Sequence, residues 1–193
     1  MWSQTSIPGA PNVLLIDLSR DEAGWEADFC TLLADRLRRR GIGLAASASV
    51  RIAAPNDLAG YEDALRRANS IVVITTAAAD ATAASADLQA CWRWLADHVE
   101  GPKLFVGCAW QHYDADVNEE ILAGGGFAPL AIVPRSPVEA RETGLFLFKL
   151  FAELHLHTDA GGGITGKMTW FSWSKAKELL KRRGMPGAFG ARC

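Results

Sequence analysis

Cys108 closes the short apolar run Lys103-Leu104-Phe105-Val106-Gly107-Cys108, and its thiol is the chain's first candidate for covalent chemistry. Such a run, with a small residue just before the thiol, reads as a buried parallel strand. In open α/β sheets, ligands and reactive groups gather at the carboxyl ends of the strands. A thiol there becomes a nucleophile when a base within hydrogen-bond reach takes its proton. His112 lies four residues on, in Ala109-Trp110-Gln111-His112-Tyr113, and is the candidate base. The run Ser70-Ile71-Val72-Val73-Ile74-Thr75-Thr76 is expected to end beside Cys108, and it is followed by Ala77 and Ala78, neither of which titrates. The competing reading of Cys108 is the commoner one, a small apolar filler in a core.

Three further constellations carry chemistry by type but not by context. Gly161-Gly162-Gly163-Ile164-Thr165-Gly166-Lys167 has the spacing of a phosphate loop, with Met168 where a hydroxyl residue would hold a metal ion. It also follows a helical stretch, whereas the phosphate loop needs a strand before it and a helix after it. A flexible hinge is the expectation there. Asp17, Asp21 and Glu22 suggest an acidic phosphoacceptor site, but Thr75 and Thr76 stand where a further aspartate is required. His155 and His157 are two residues apart and cannot share a helical face, so no metal pair is expected. No cofactor follows from any of these motifs.

The elements that would position Cys108 can be read from the apolar periodicity. Strands are expected at 12–18, 42–47 (an edge), 70–76, 103–108 and 129–133, with helices near 55–69, 82–99, 114–122 and 138–155. A further helix after Ser19 and Asp21 carries Trp25, Phe29, Leu32, Leu33 and Leu37 at helical spacing, ends in Arg38-Arg39-Arg40 and stops at Gly41. The run Leu145-Phe146-Leu147-Phe148 makes the 138–155 helix apolar on most faces, as a covered helix must be. Strands alternating with helices predict an α/β fold. We expect a three-layer sandwich around a doubly wound, mainly parallel sheet of five or six strands, in the flavodoxin-like order 2-1-3-4-5.

Three segments are expected. Residues 1–11, with Pro8, Gly9 and Pro11, read as a loose arm, and 12–157 as the α/β domain. Residues 158–193 read as a glycine hinge and a basic helix from Trp173 to Arg183 that packs on the domain. Trp170, Phe171 and Trp173 are expected to pack on the body or on a second copy of it.

Composition narrows the function classes. The 193 residues are 49% apolar and 22% charged, with a formal net charge of −2. That balance gives no electrostatic case for nucleic acid or an anionic membrane. No apolar stretch is long enough to cross a bilayer, and Met1 to Pro11 lacks the basic and apolar regions of a secretory signal. Cys30, Cys91, Cys108 and Cys193 form no CxxC pair, which fits reduced thiols in a cytoplasmic protein.

From about residue 70 to 189 the chain resembles the CHAT domains, caspase-like cysteine peptidases of the same sheet architecture. The resemblance rests on Leu104–Cys108, Val117-Asn118-Glu119, Gly124–Phe127, Ala131-Ile132-Val133, Pro137-Val138 and the helix from Thr143 to Leu154. It implies a nucleophile at Cys108, and it puts Ala77 and Ala78 where these peptidases carry a histidine and a glycine. From about 11 to 95 the chain also resembles TIR domains, through Leu18-Ser19-Arg20-Asp21, Trp25, Leu33–Arg40 with Gly41, and Ala64–Thr75. That resemblance implies NAD binding or hydrolysis, with Asp87 at the position of the family's glutamate. The function expected first is a degenerate caspase/CHAT-like domain acting as a regulatory or scaffolding module, through a protein partner or a homo-oligomer. An active cysteine peptidase using Cys108, and a TIR-like signalling domain, are the alternatives.

Overall fold

Six consecutive residues, Asn12–Asp17, form the central strand β2, because all but the first are fully enclosed and their apolar side chains alternate between two covered faces. The computed structural model describes residues 4–18, 25–45, 50–51, 60–75, 81–109, 115–123, 127–136, 138–158 and 162–193. In chain order the elements are β1 (Ser6–Ile7), β2, α1 (Trp25–Arg39), β3 (Gly43–Leu44), β4 (Val50–Arg51), α2 (Glu62–Arg67) and β5 (Ser70–Thr75). Then come α3 (Ala81–His98), β6 (Leu104–Ala109), α4 (Ala115–Ala123), β7 (Leu130–Pro134), α5 (Ala140–Thr158), β8 (Ile164–Thr165), α6 (Gly166–Arg182) and β9 (Phe189–Arg192).

The main sheet runs β3-β2-β5-β6-β7-β9, with β4 also paired to β2. The pairs from β3 and β4 through β7 are parallel, and β9 joins β7 antiparallel. Counting the lane shared by β3 and β4 as one strand, the parallel part has the flavodoxin-like order 2-1-3-4-5. Both faces are covered. Val13, Leu15, Val72, Ile74, Val106, Cys108 and Ile132 pack with α1, α5 and α6. Leu14, Ile16, Ile71, Val73, Phe105, Ala131 and Val133 pack with α2, α3 and α4. The alternation along each strand therefore sorts the side chains into two cores, giving the three layers. Among the described residues no helix is long and apolar enough to cross a membrane.

Several boundaries differ from the expectations. Of the edge strand expected at 42–47, β3 covers 43–44 and residues 46 and 47 lie outside the described residues; β4 pairs with β2 beyond that range. The helix expected at 55–69 is described only as α2, since 52–59 lie outside the described residues. Leu32, counted with the buried face of α1, is 58% exposed, while Cys30, Leu33 and Leu37 fill the core. Helix α1 does stop at Gly41, whose φ of 75° is the left-handed conformation that glycine adopts without strain. The N–H groups of Gly41 and Ile42 return to Arg38 O and Leu37 O.

The start of the chain is more tightly held than a loose arm, while 159–161 of the expected hinge lie outside the described residues. β1 pairs antiparallel with β8 through Ser6↔Thr165 and Ile7↔Ile164, and Ile7 and Ile164 are both buried. Asn69 Nδ2 donates to Pro8 O at 3.0 Å and Ala10 O at 2.8 Å, while Asn69 Oδ1 accepts from Asn12 N–H at 2.8 Å. Helix α6 starts at Gly166 rather than Trp173. The strand β9 was not expected. It is fixed by Phe189, stacked on Phe146 at 3.9 Å between centroids, and by Trp173 Nε1, which donates to Phe189 O at 3.0 Å. Arg192 donates to Leu122 O, Ala128 O and Pro129 O, tying β9 to the segment that enters β7.

Candidate functional site

Cys108 is the fifth residue of β6, and its partner across the ladder is Ile74 of β5. Ile74 is also the partner of Asp17 in β2. Asp17, Ile74 and Cys108 thus form one row near the carboxyl edge. The outer two stand about 10 Å apart at ordinary strand spacing, too far for a direct hydrogen bond. Gly107 turns to the opposite face, where a Cβ would come within 3.2 Å of both Phe105 and Val133. The small residue before the thiol therefore serves the packing of the α3 side, where Phe105 meets Trp92 at 4.9 Å.

The thiol itself is 0% exposed and belongs to the core that α1, α5 and α6 cover. Burial pushes the Cys108 thiol well above its ordinary range, because the low-dielectric interior disfavours the thiolate. At neutral pH the group is a protonated thiol, which is a poor nucleophile. His112, Ala77 and Ala78 lie outside the described residues, as does the side chain of Asp87. The structure therefore places Cys108 alone of the residues nominated for the two chemistries.

Within the glycine-rich stretch, Gly163 and Thr165 have structural roles. Gly163 passes against β1 so closely that a Cβ would lie 2.3 Å from Ile7 O. Thr165 caps α6, its hydroxyl accepting from Met168 N–H at 3.2 Å. His157 turns to Glu153, with Nε2 to Oε2 3.8 Å, and sets its ring edge-on to Phe171. Among the described residues no cluster of three or more His, Cys, Asp or Glu side chains could hold a metal ion.

Of the surface grooves among the described residues, two hold large exposed apolar side chains. One, of about 360 Å³, lies at the start of α6 between Met168, Trp170 and Phe171, with His157 and Lys167 at its edge. Trp170 and Phe171 are 42% and 38% exposed there, so of the three aromatic residues expected to pack, Trp173 alone holds β9. The other groove, of about 420 Å³, runs between α1 and α5, with Leu32, Phe29 and Leu145 in it and Arg36, Arg141 and Arg183 around it. These arginines come from three separate elements, so no local motif announces them. The sequence signal was Leu32, an apolar residue one position before the buried Leu33.

No family model matches the chain, and no curated protein matches it. Among solved structures it is similar to the rubredoxin oxygen:oxidoreductase of the anaerobe Desulfovibrio gigas, at 14% identity and a TM-score of 0.39. The match covers 79% of this chain and 38% of that one, so this chain spans well under half the length of that protein.

Proposed function

We propose that this chain is a catalytically silent module of caspase/CHAT type that works in the cytoplasm by binding other proteins. One observation carries the reading: the only thiol in the nucleophile's position is a filler of the α1/α5/α6 core, held protonated by its surroundings. A cysteine peptidase needs the opposite environment, a partly exposed thiol in an electropositive setting. Ala77 and Ala78, at the positions of the family's histidine and glycine, agree with a lost activity. Four reduced cysteines suit an intracellular compartment.

The test is a peptide-library digest of the wild-type protein beside Cys108→Ala, with alkylation of native protein by iodoacetamide at pH 7.5. The expected result is no cleavage by either protein and negligible labelling of Cys108 until the chain is unfolded. Cleavage by the wild type that Cys108→Ala abolishes would overturn the proposal in favour of an active peptidase. NAD hydrolysis that Asp87→Ala abolishes would overturn it in favour of the TIR-like alternative.

A further inference from the structure

We infer that the groove between α1 and α5 is the docking site of an acidic amphipathic helix from a partner protein. The inference rests on the binding-module reading and names the surface and the chemistry of its partner.

The groove floor is apolar. Leu32 lies 58% exposed in it, beside the half-buried Phe29 and Leu145. Its depth depends on Gly144, where a Cβ would come within 2.8 Å of the Phe29 ring. Phe29 can therefore lie close against α5, and a concave strip is left between two helices. Around it stand Arg36, Arg141 and Arg183, all exposed. None of the three makes an ion pair among the described residues, and no described carboxylate lines the groove. The neighbouring Arg39, by contrast, is neutralised by Asp35 at 2.7 Å. The formal net charge of the whole chain is −2, so this positive rim, unpaired among the described residues, is a local feature, not a consequence of a basic protein.

A concave apolar strip between helices takes an amphipathic helix, read through anchors at i, i+3, i+4 and i+7. Guanidinium groups recognise carboxylates through paired, directed N–H donors. Together these select a helix with apolar anchors flanked by Asp or Glu. A bilayer would need a convex apolar surface and a denser basic cluster. Nucleic acid would leave the apolar floor unused.

The experiment displays a library of random 16-residue peptides to the full chain. Binders are then measured by fluorescence anisotropy against wild type, Leu32→Asp and the triple variant Arg36→Ala/Arg141→Ala/Arg183→Ala. All four substituted side chains are exposed, so the variants are expected to unfold at the wild-type midpoint, checked by thermal denaturation. The expected binders carry Asp or Glu around helically spaced apolar residues. Their affinity should fall roughly 10- to 100-fold in the triple variant, from a few-fold per exposed charge pair, and should weaken with added salt. Acidic binders that both variants retain would overturn the groove assignment while leaving the binding-module reading intact. Failure to recover any binder would count against both. Co-sedimentation with phosphatidylserine vesicles, lost in the triple variant, would also overturn it and reassign the rim to lipid headgroups. Peptidase activity would overturn the module reading and say nothing against the groove.

Discussion

The carboxylate of Glu142, in the first turn of α5, accepts the N–H of Gly187 at 2.9 Å and that of Ala188 at 3.4 Å. Glu142 is 4% exposed, so its buried carboxyl group is committed to the backbone that leads into β9. The linker between α6 and β9 has no ladder of its own for these donors, and a buried N–H without a partner is costly. Glu142 thus supplies what a strand neighbour would supply elsewhere.

Glu142→Ala is expected to destabilise the chain by about 1–3 kcal/mol, the usual cost of stranding buried donors. Glu142→Gln keeps the acceptor oxygen and should recover part of that loss. Urea unfolding measures the size. Hydrogen exchange measures the place, since amides of Phe189–Arg192 should lose protection before those of β5 and β6. Uniform loss across the whole sheet would show that Glu142 does not act through β9.

Gly163→Ala tests the seam between the chain's two ends. A Cβ there would lie 2.3 Å from Ile7 O and 2.8 Å from Ser6 Oγ, so β1 and β8 cannot stay paired without moving apart. Residues 4–11 should become sensitive to limited proteolysis, while the thermal midpoint falls only modestly because the main sheet is untouched. Gly162→Ala, with nothing closer than 3.9 Å, is the matched control and should behave as wild type.

Asn69 is expected to matter more than its position just before a strand suggests. Its side chain bonds the backbone of Pro8, Ala10 and Asn12 at once, at 2.8–3.0 Å. Asn69→Ala should cost about 1 kcal/mol, since the half-buried N–H of Asn12 loses its acceptor. It should also expose the same arm as Gly163→Ala. Asn69→Asp can keep the bond from Asn12 N–H but not the two donated by Nδ2, so it should keep part of the stability and still release the arm.

Four central strands were legible because the signal is local. Runs such as Ile71-Val72-Val73-Ile74 are apolar at every position, which only a strand covered on both faces requires. The strand β9 was not legible, because Phe189-Gly190-Ala191-Arg192 carries no strand pattern of its own. Its place comes from contacts with distant residues: Phe146, Trp173, Glu142 and the carbonyls that Arg192 reaches. The arm, and Gly163 which holds it, were misread for the same reason. Pro8, Gly9 and Gly161–Gly163 look permissive in sequence, and only the approach of Gly163 to Ile7 shows that smallness there means close packing. Cys108 was correctly placed near the end of a strand, but the chain itself cannot say which layer covers it. The arginine rim was invisible, since Arg36, Arg141 and Arg183 meet only once α1, α5 and α6 have packed.

The burial of Cys108 makes the stability of the fold depend on pH. Burial raises its pKa in the folded state above the ordinary value of 9.0. Below about pH 9 the thiol is protonated in both states, and its full contribution to stability is present. As pH rises further, the unfolded chain ionises this thiol and the folded chain does not. The unfolded state then binds fewer protons, and stability falls by up to about 1.36 kcal/mol per pH unit for this one group. Cys193, pushed up to about 12 by its own burial, adds a loss of the same sign. Chemical denaturation between pH 7 and 10.5 should therefore show wild-type stability bending downward above pH 9. Cys108→Ala is expected to start lower, from the small cavity it leaves, but to fall less steeply, so the two curves converge as pH rises. Parallel curves would mean that Cys108 ionises as readily in the folded protein as in the unfolded chain. That result would return it to the list of available nucleophiles and remove the observation on which the non-catalytic reading depends.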